Sequence, residues 1–142
     1  MLKKTFTYTD FFGKERTEDC YFHLSESKLA EMDLKTQDGW SEWVKEIVAA
    51  KDNETLVETF KKVILASYGQ KSPDGRRFIQ TKELSEEFSQ TPMFDQLFMS
   101  LVTDANAAAD FFNGIVPEKV QKEAKKQGLE QKENSNNVVS MQ

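Results

Sequence analysis

Histidine and cysteine are almost missing from this chain: 142 residues hold one of each, His23 and Cys20. A lone cysteine excludes an intrachain disulfide, a Cys-rich zinc site and a CxxC redox pair, and a reducing cytoplasm is its natural setting. A Ser-His-Asp triad would have to use His23, and no GxSxG elbow presents a serine to it. Cys20 and His23 lie three apart in an alternating segment, so their side chains leave opposite faces and form no dyad. An EF-hand loop and an HExxH pair are also lacking, so no metal site or cofactor is expected. Long apolar runs are absent too: nothing reaches the roughly 18 residues of a membrane-spanning helix. The opening MLKKTFTYTDF alternates where a signal peptide would be continuously apolar, and a soluble intracellular protein is expected. Positive charge is not in excess. The formal net charge is −5, and residues 118–142 carry five lysines and four glutamates, which leaves the body before them at −6. A nucleic-acid backbone is a poor partner for such a surface.

Abundant instead are phenylalanines, eleven of them, and acids. Thr5 to Thr9 alternates with Phe6 and Tyr8, and alternation resumes with Cys20, Phe22 and Leu24 on one side and Tyr21 and His23 on the other. This predicts an N-terminal β-hairpin turning at Gly13, with His23 on its surface. Two strands are marginal alone, so helices must cover one face. Ser25 caps a short helix, with Leu24 stapled to Leu29. Trp40, Trp43, Val44, Ile47 and Val48 mark a further helix. Leu56, Phe60, Val63 and Ile64 mark another, capped near Asp52-Asn53 and ended by a left-handed Gly69. Thr81 caps a helix carrying Leu84 and Phe88 inward. Thr91-Pro92 starts the next, with Phe94, Leu97, Phe98, Leu101 and Val102 on its apolar face, and Asp104 caps an alanine-rich helix placing Phe111 and Phe112 in the core. The expected fold is α+β: a hairpin packed against about five or six helices in a single domain, residues 1–117, followed by a polar, partly helical or disordered tail, residues 118–142.

The segment SYGQKSPDGRRFI tests a phosphate-binding reading and fails it. Gly69 and Gly75 stand one residue too far apart for GxxxxGK[ST], Arg76-Arg77 replaces Lys-Ser/Thr, and a helix precedes the loop where a strand is required. Ser72-Pro73-Asp74-Gly75 fits a β-turn between two helices. Arg76 and Arg77 either pair with nearby acids or face a partner. Glu83, Glu86 and Glu87 read as a solvated helix face. Trp40 and Trp43, three apart, cannot both point fully inward, and the outer one is either a second-layer core residue or a protein-binding patch. The residues alone therefore describe an acidic interaction domain without a catalytic signature.

Three long segments, KKTFTYTDFFGKERTEDCYFHLSESKLAEMDL, ILASYGQKSPDGRRFIQTKELSEEFSQT and LFMSLVTDANAAADFFNGIVPE, together resemble the tail assembly chaperones of siphophages of Gram-positive bacteria. The resemblance runs to about Glu118; the tail beyond matches nothing named. Phe12-Gly13 replaces the Asn-Gly turn common in that family, which points to a bulged three- or four-residue connection with Phe11-Phe12 as an apolar tip. The resemblance implies a non-enzymatic assembly factor of the host cytoplasm, absent from the mature virion. It implies that the tape measure protein is bound and kept soluble, and that tail tube protein is recruited, mainly through a frameshifted longer form. Self-association is a further expectation, and Trp40, Trp43, Arg76 and Arg77 are the candidate partner-binding residues. The alternative is a small structural virion component such as a head-tail connector.

Overall fold

Alternation of threonine with aromatic residues produces the first two strands, β1 (Leu2–Thr9) and β2 (Glu15–Phe22), paired antiparallel from Leu2↔Phe22 to Thr9↔Glu15. Their connection is bulged, as the sequence predicts. Gly13 N–H donates to the Asp10 carbonyl at 2.9 Å, Asp10 N–H donates to the Lys14 carbonyl at 2.8 Å, and Gly13 sits at φ +84°. This is a three-residue turn closed by a left-handed glycine, a conformation that β-carbon-bearing residues adopt at a cost. One face of the hairpin buries Phe6, Cys20 and Phe22, and Leu24 follows them inward. The other face is wet: Thr5 donates to Asp19 at 2.6 Å, and the Thr7 and Thr17 hydroxyls meet at 3.1 Å.

The structure, a computed structural model, describes residues 1–31, 44–45, 49 and 53–117, the side chains of residues 53, 55 and 56 excepted. Trp40, Trp43, Ile47, Val48, Asp52, the side chain of Leu56 and the tail of residues 118–142 lie outside the described residues. Val44 is described and buried.

Five helices are described. Ser25 Oγ accepts from Lys28 N–H at 3.1 Å and caps α1 (Glu26–Glu31), which buries Leu29. Helix α2 (Asn53–Ser67) buries Phe60, Val63 and Ile64, the stripe its spacing predicts. Thr81 caps α3 (Lys82–Ser89), Thr91 caps α4 (Pro92–Thr103) with proline in its first turn, and Asp104 caps α5 (Ala105–Gly114) by accepting from Asn106 and Ala107 N–H. Each cap satisfies backbone donors that the helix leaves unpaired.

Two expectations are corrected. Gly69 does not end α2 in a left-handed turn; the helix runs directly into a strand, β3 (Tyr68–Lys71), which pairs with β2 through Tyr21↔Gly69 and Phe22↔Tyr68. The segment Ser72–Arg77 joins this strand to β4 (Phe78–Ile79), not helix to helix. The hairpin is thus half of a four-stranded antiparallel sheet ordered β1-β2-β3-β4. Gly69 is needed for closeness, not for handedness: a β-carbon there would lie 2.7 Å from the Phe78 ring and 2.8 Å from the Ile79 carbonyl oxygen.

The fold stays α+β, with the helices against the sheet's inner face. Phe22 is the centre of the core, its ring 5.4 Å from Phe111, 5.7 Å from Phe88 and 5.9 Å from Tyr68. Tyr68 stacks on Phe88 at 4.2 Å, and Phe60 meets Phe112 edge-on at 5.0 Å. The Gln80 amide nitrogen lies within 3.1 Å of the His23, Ser67 and Ala66 carbonyls, fastening the end of β2 to the α2–β3 junction. Leu24 N–H donates to the Ile115 carbonyl at 2.7 Å, closing the end of α5 onto the hairpin.

Candidate interaction site

Antiparallel pairing fixes where the two sheet turns emerge. β1 and β3 both run against β2, so the turns that follow them, Asp10–Lys14 and Ser72–Arg77, leave the same end of the sheet. Since β3 begins opposite Phe22 and spans four residues, the first hairpin continues past the second turn by about four residues, roughly 13 Å of strand. It forms a projecting finger.

At its tip stand two phenyl rings. Phe11 is 87 % exposed and Phe12 97 %, in a chain whose other described phenylalanines are buried or half-buried. The tip is braced from below by one carboxylate. Asp10 accepts from Phe12 N–H and Lys14 N–H, each at 2.9 Å, and from Arg16 Nε at 2.7 Å. The Arg16 bond, with the two backbone donors, holds the Asp10 carboxyl below its usual range. The rings are therefore presented on an ordered turn.

Beside the finger opens a cleft of about 420 Å³ lined by Tyr8, Asp10, Phe11, Phe12, Arg16 and, from the α3–α4 corner, Glu87, Gln90, Thr91 and Pro92. The corner is held against the hairpin by core contacts and by the Gln96 amide, which donates to the Thr7 carbonyl at 3.1 Å. Arg16 is engaged with Asp10 and lies 3.9 Å from Glu18. Glu87 makes no ion pair with a described residue, and neither does Glu83 one turn earlier on α3. Glu86 is paired with Lys82 at 3.9 Å.

Of the residues singled out in the sequence, Arg76 and Arg77 are exposed on the β3–β4 turn and form no ion pair among the described residues. Their turn is built as Ser72-Pro73-Asp74-Gly75 predicts: Gly75 N–H donates to the Ser72 carbonyl at 2.9 Å with Gly75 at φ +73°. Ser72 donates to Asp74 at 2.6 Å, and that hydroxyl chiefly lowers the Asp74 carboxyl below its usual range. Trp40 and Trp43 lie outside the described residues. Composition pointed to neither Glu87 nor Pro92; only the packing of the α3–α4 corner beside the hairpin brings them to the Phe11-Phe12 pair.

Among the described residues, the side chains singled out for chemistry do not assemble. Cys20 is buried beside Met93, 3.6 Å between sulfurs, and burial pushes its thiol up to about 11, so it is inert at neutral pH. His23 corrects the surface assignment: it is half-buried, edge-on to Phe78, with Nδ1 buried and without a hydrogen-bond partner among the described residues. Among the described residues no three His, Cys, Asp or Glu side chains cluster to hold a metal, and no helix is long and apolar enough to cross a membrane.

An apolar finger, an adjoining open cleft and an acidic surface are the equipment of a protein that binds other proteins. No curated protein and no solved structure matches the chain. A family model described as phage tail assembly chaperone matches residues 1–142, and so includes the tail beyond Glu118 that carried no resemblance by sequence reading. The chain belongs to the phage tail assembly chaperone family, a family of assembly factors and not of enzymes.

Proposed function

We propose that the protein binds the tape measure protein of its phage, keeps that client soluble in the cytoplasm of a Gram-positive host, and helps bring tail tube subunits to it. The observation that carries this reading is the Phe11-Phe12 pair, held out in water on a braced turn beside an open cleft. A folded monomer gains nothing by exposing two phenyl rings in this way, whereas a client's apolar stripe would cover them. The net charge of −5 keeps loaded complexes apart in solution. A longer frameshifted form would add the tube-binding part, and the chaperone would leave before the tail is finished.

Quantitative mass spectrometry of infected-cell lysate and of purified particles tests this. The chain should be abundant in lysate during tail assembly and missing from particles. Stoichiometric recovery in particles would contradict the reading and support the head-tail connector.

A further inference from the structure

A client must be gripped somewhere, and beside the tip of the first hairpin apolar contact and unspent charge coincide. Phe11 and Phe12 form one wall of the cleft, and Gln90, Thr91 and Pro92 form the opposite wall. Glu87 on α3 lines the cleft, and Glu83, one turn earlier on the same helix and outside the lining, is exposed as Glu87 is. Residues at that spacing lie about 5–6 Å apart on one helix face, the same separation as two basic side chains one turn apart on a facing helix. The neighbouring charges are already used: Asp10 holds Arg16, and Lys82 holds Glu86. What remains open to a partner is thus an apolar wedge flanked by the Glu87 carboxylate, with that of Glu83 one helical turn away.

We propose that this cleft docks an amphipathic helical segment of the client, its apolar stripe against Phe11 and Phe12 and its Lys or Arg residues against Glu83 and Glu87. The assignment rests on the client-binding reading above and adds to it the surface and the chemistry of the segment. Exclusion of water by the rings strengthens the flanking ion pairs, and the acids reject an acidic helix of equal hydrophobicity. Arg76 and Arg77, set back on the second turn, are left for a different contact.

Two synthetic helical peptides serve as probes, each roughly 18 residues long with the same leucine stripe, one flanked by lysines and the other by glutamates. Fluorescence titration of the full chain should show the lysine peptide binding at least about tenfold more tightly. The double variant Phe11→Ser/Phe12→Ser should retain its melting temperature and lose about tenfold or more in affinity, because both rings are exposed in the free protein. Glu87→Lys should weaken the lysine peptide well beyond Glu58→Lys, an equal charge change at an exposed position on α2 that does not line the cleft. Equal loss from the two reversals, or unchanged binding by the double serine variant, overturns the docking site. So does a free dimer that the serine variant dissociates while peptide binding persists, since the tip would then serve a second copy. The tape measure protein itself separates this proposal from the reading beneath it. If the double serine variant still solubilises that client as well as the parent chain does, the chaperone reading stands and this surface falls; if the parent chain fails to solubilise it, both fall.

Discussion

A single buried imidazole nitrogen gives the protein a pH dependence that can be read from its surroundings. His23 is held below its ordinary value of 6.5, first by burial and then by the N-terminal ammonium, and its Nδ1 has no described partner to share a proton with. The unfolded chain therefore binds this proton more readily than the folded one. Stability is full above the unfolded value, falls as pH drops through about 6.5, and levels off below the depressed folded value. Melting temperature followed from roughly pH 8 to pH 5 should decline in the parent chain, and His23→Leu should remove that decline. Persistence of the same slope in the variant would place the titrating group elsewhere. Asp10 and Asp74, both lowered by hydrogen bonds, act in a separate window below about 4, where their contribution is lost as pH falls through their folded values. Glycines make a second contrast at this scale. Gly69→Ala forces a β-carbon against the Phe78 ring and the Ile79 carbonyl and should cost about 1–3 kcal/mol by chemical denaturation. Gly75→Ala has open space and should cost only the left-handed strain, about 1–2 kcal/mol.

Among the elements, the finger depends on the Asp10 brace. Asp10→Ala removes the acceptor for Phe12 and Lys14 N–H and the partner of Arg16. Hydrogen exchange at those two amides should accelerate, and client affinity should fall although both rings remain; unchanged exchange would mean that Gly13 alone sets the turn. Which elements the sequence reveals follows from where their determinants lie. The caps at Ser25, Thr81 and Asp104, the helix start at Thr91-Pro92 and the bulged turn at Gly13 are encoded within a few residues and were legible. Strands β3 and β4 were not. Tyr68–Lys71 contains Gly69 and only four residues, and its strand state comes from pairing with Tyr21 and Phe22, more than forty positions away. A glycine after an apolar helix reads locally as a cap, although here it is small so that Phe78 can cross it. The cleft was hidden for the same reason: Phe11-Phe12 was visible as an apolar tip, but its opposite wall is a helix corner about eighty residues along the chain.

At the scale of the whole molecule, the core and the exposed apolar tip are built from separate phenylalanines. Phe22, Phe60, Phe88, Phe111 and Phe112 are almost completely buried and make one aromatic cluster joining sheet to helices, whereas Phe11 and Phe12 contribute little to it. Phe22→Ala should cost about 3–5 kcal/mol in denaturant unfolding, since the ring contacts elements from both halves of the chain and leaves a cavity. This separation lets a chaperone keep its fold while changing what it touches, and it makes the client-binding claim testable without confusion with unfolding. The most direct test is co-expression of the tape measure protein with and without this chain, followed by affinity purification and light scattering. The account predicts that the client moves into the soluble fraction and co-purifies in a large stoichiometric complex, and that Phe11→Ser/Phe12→Ser loses that complex while melting as the parent does. A client that stays insoluble and unbound, with the longer frameshifted form also supplied, would contradict it.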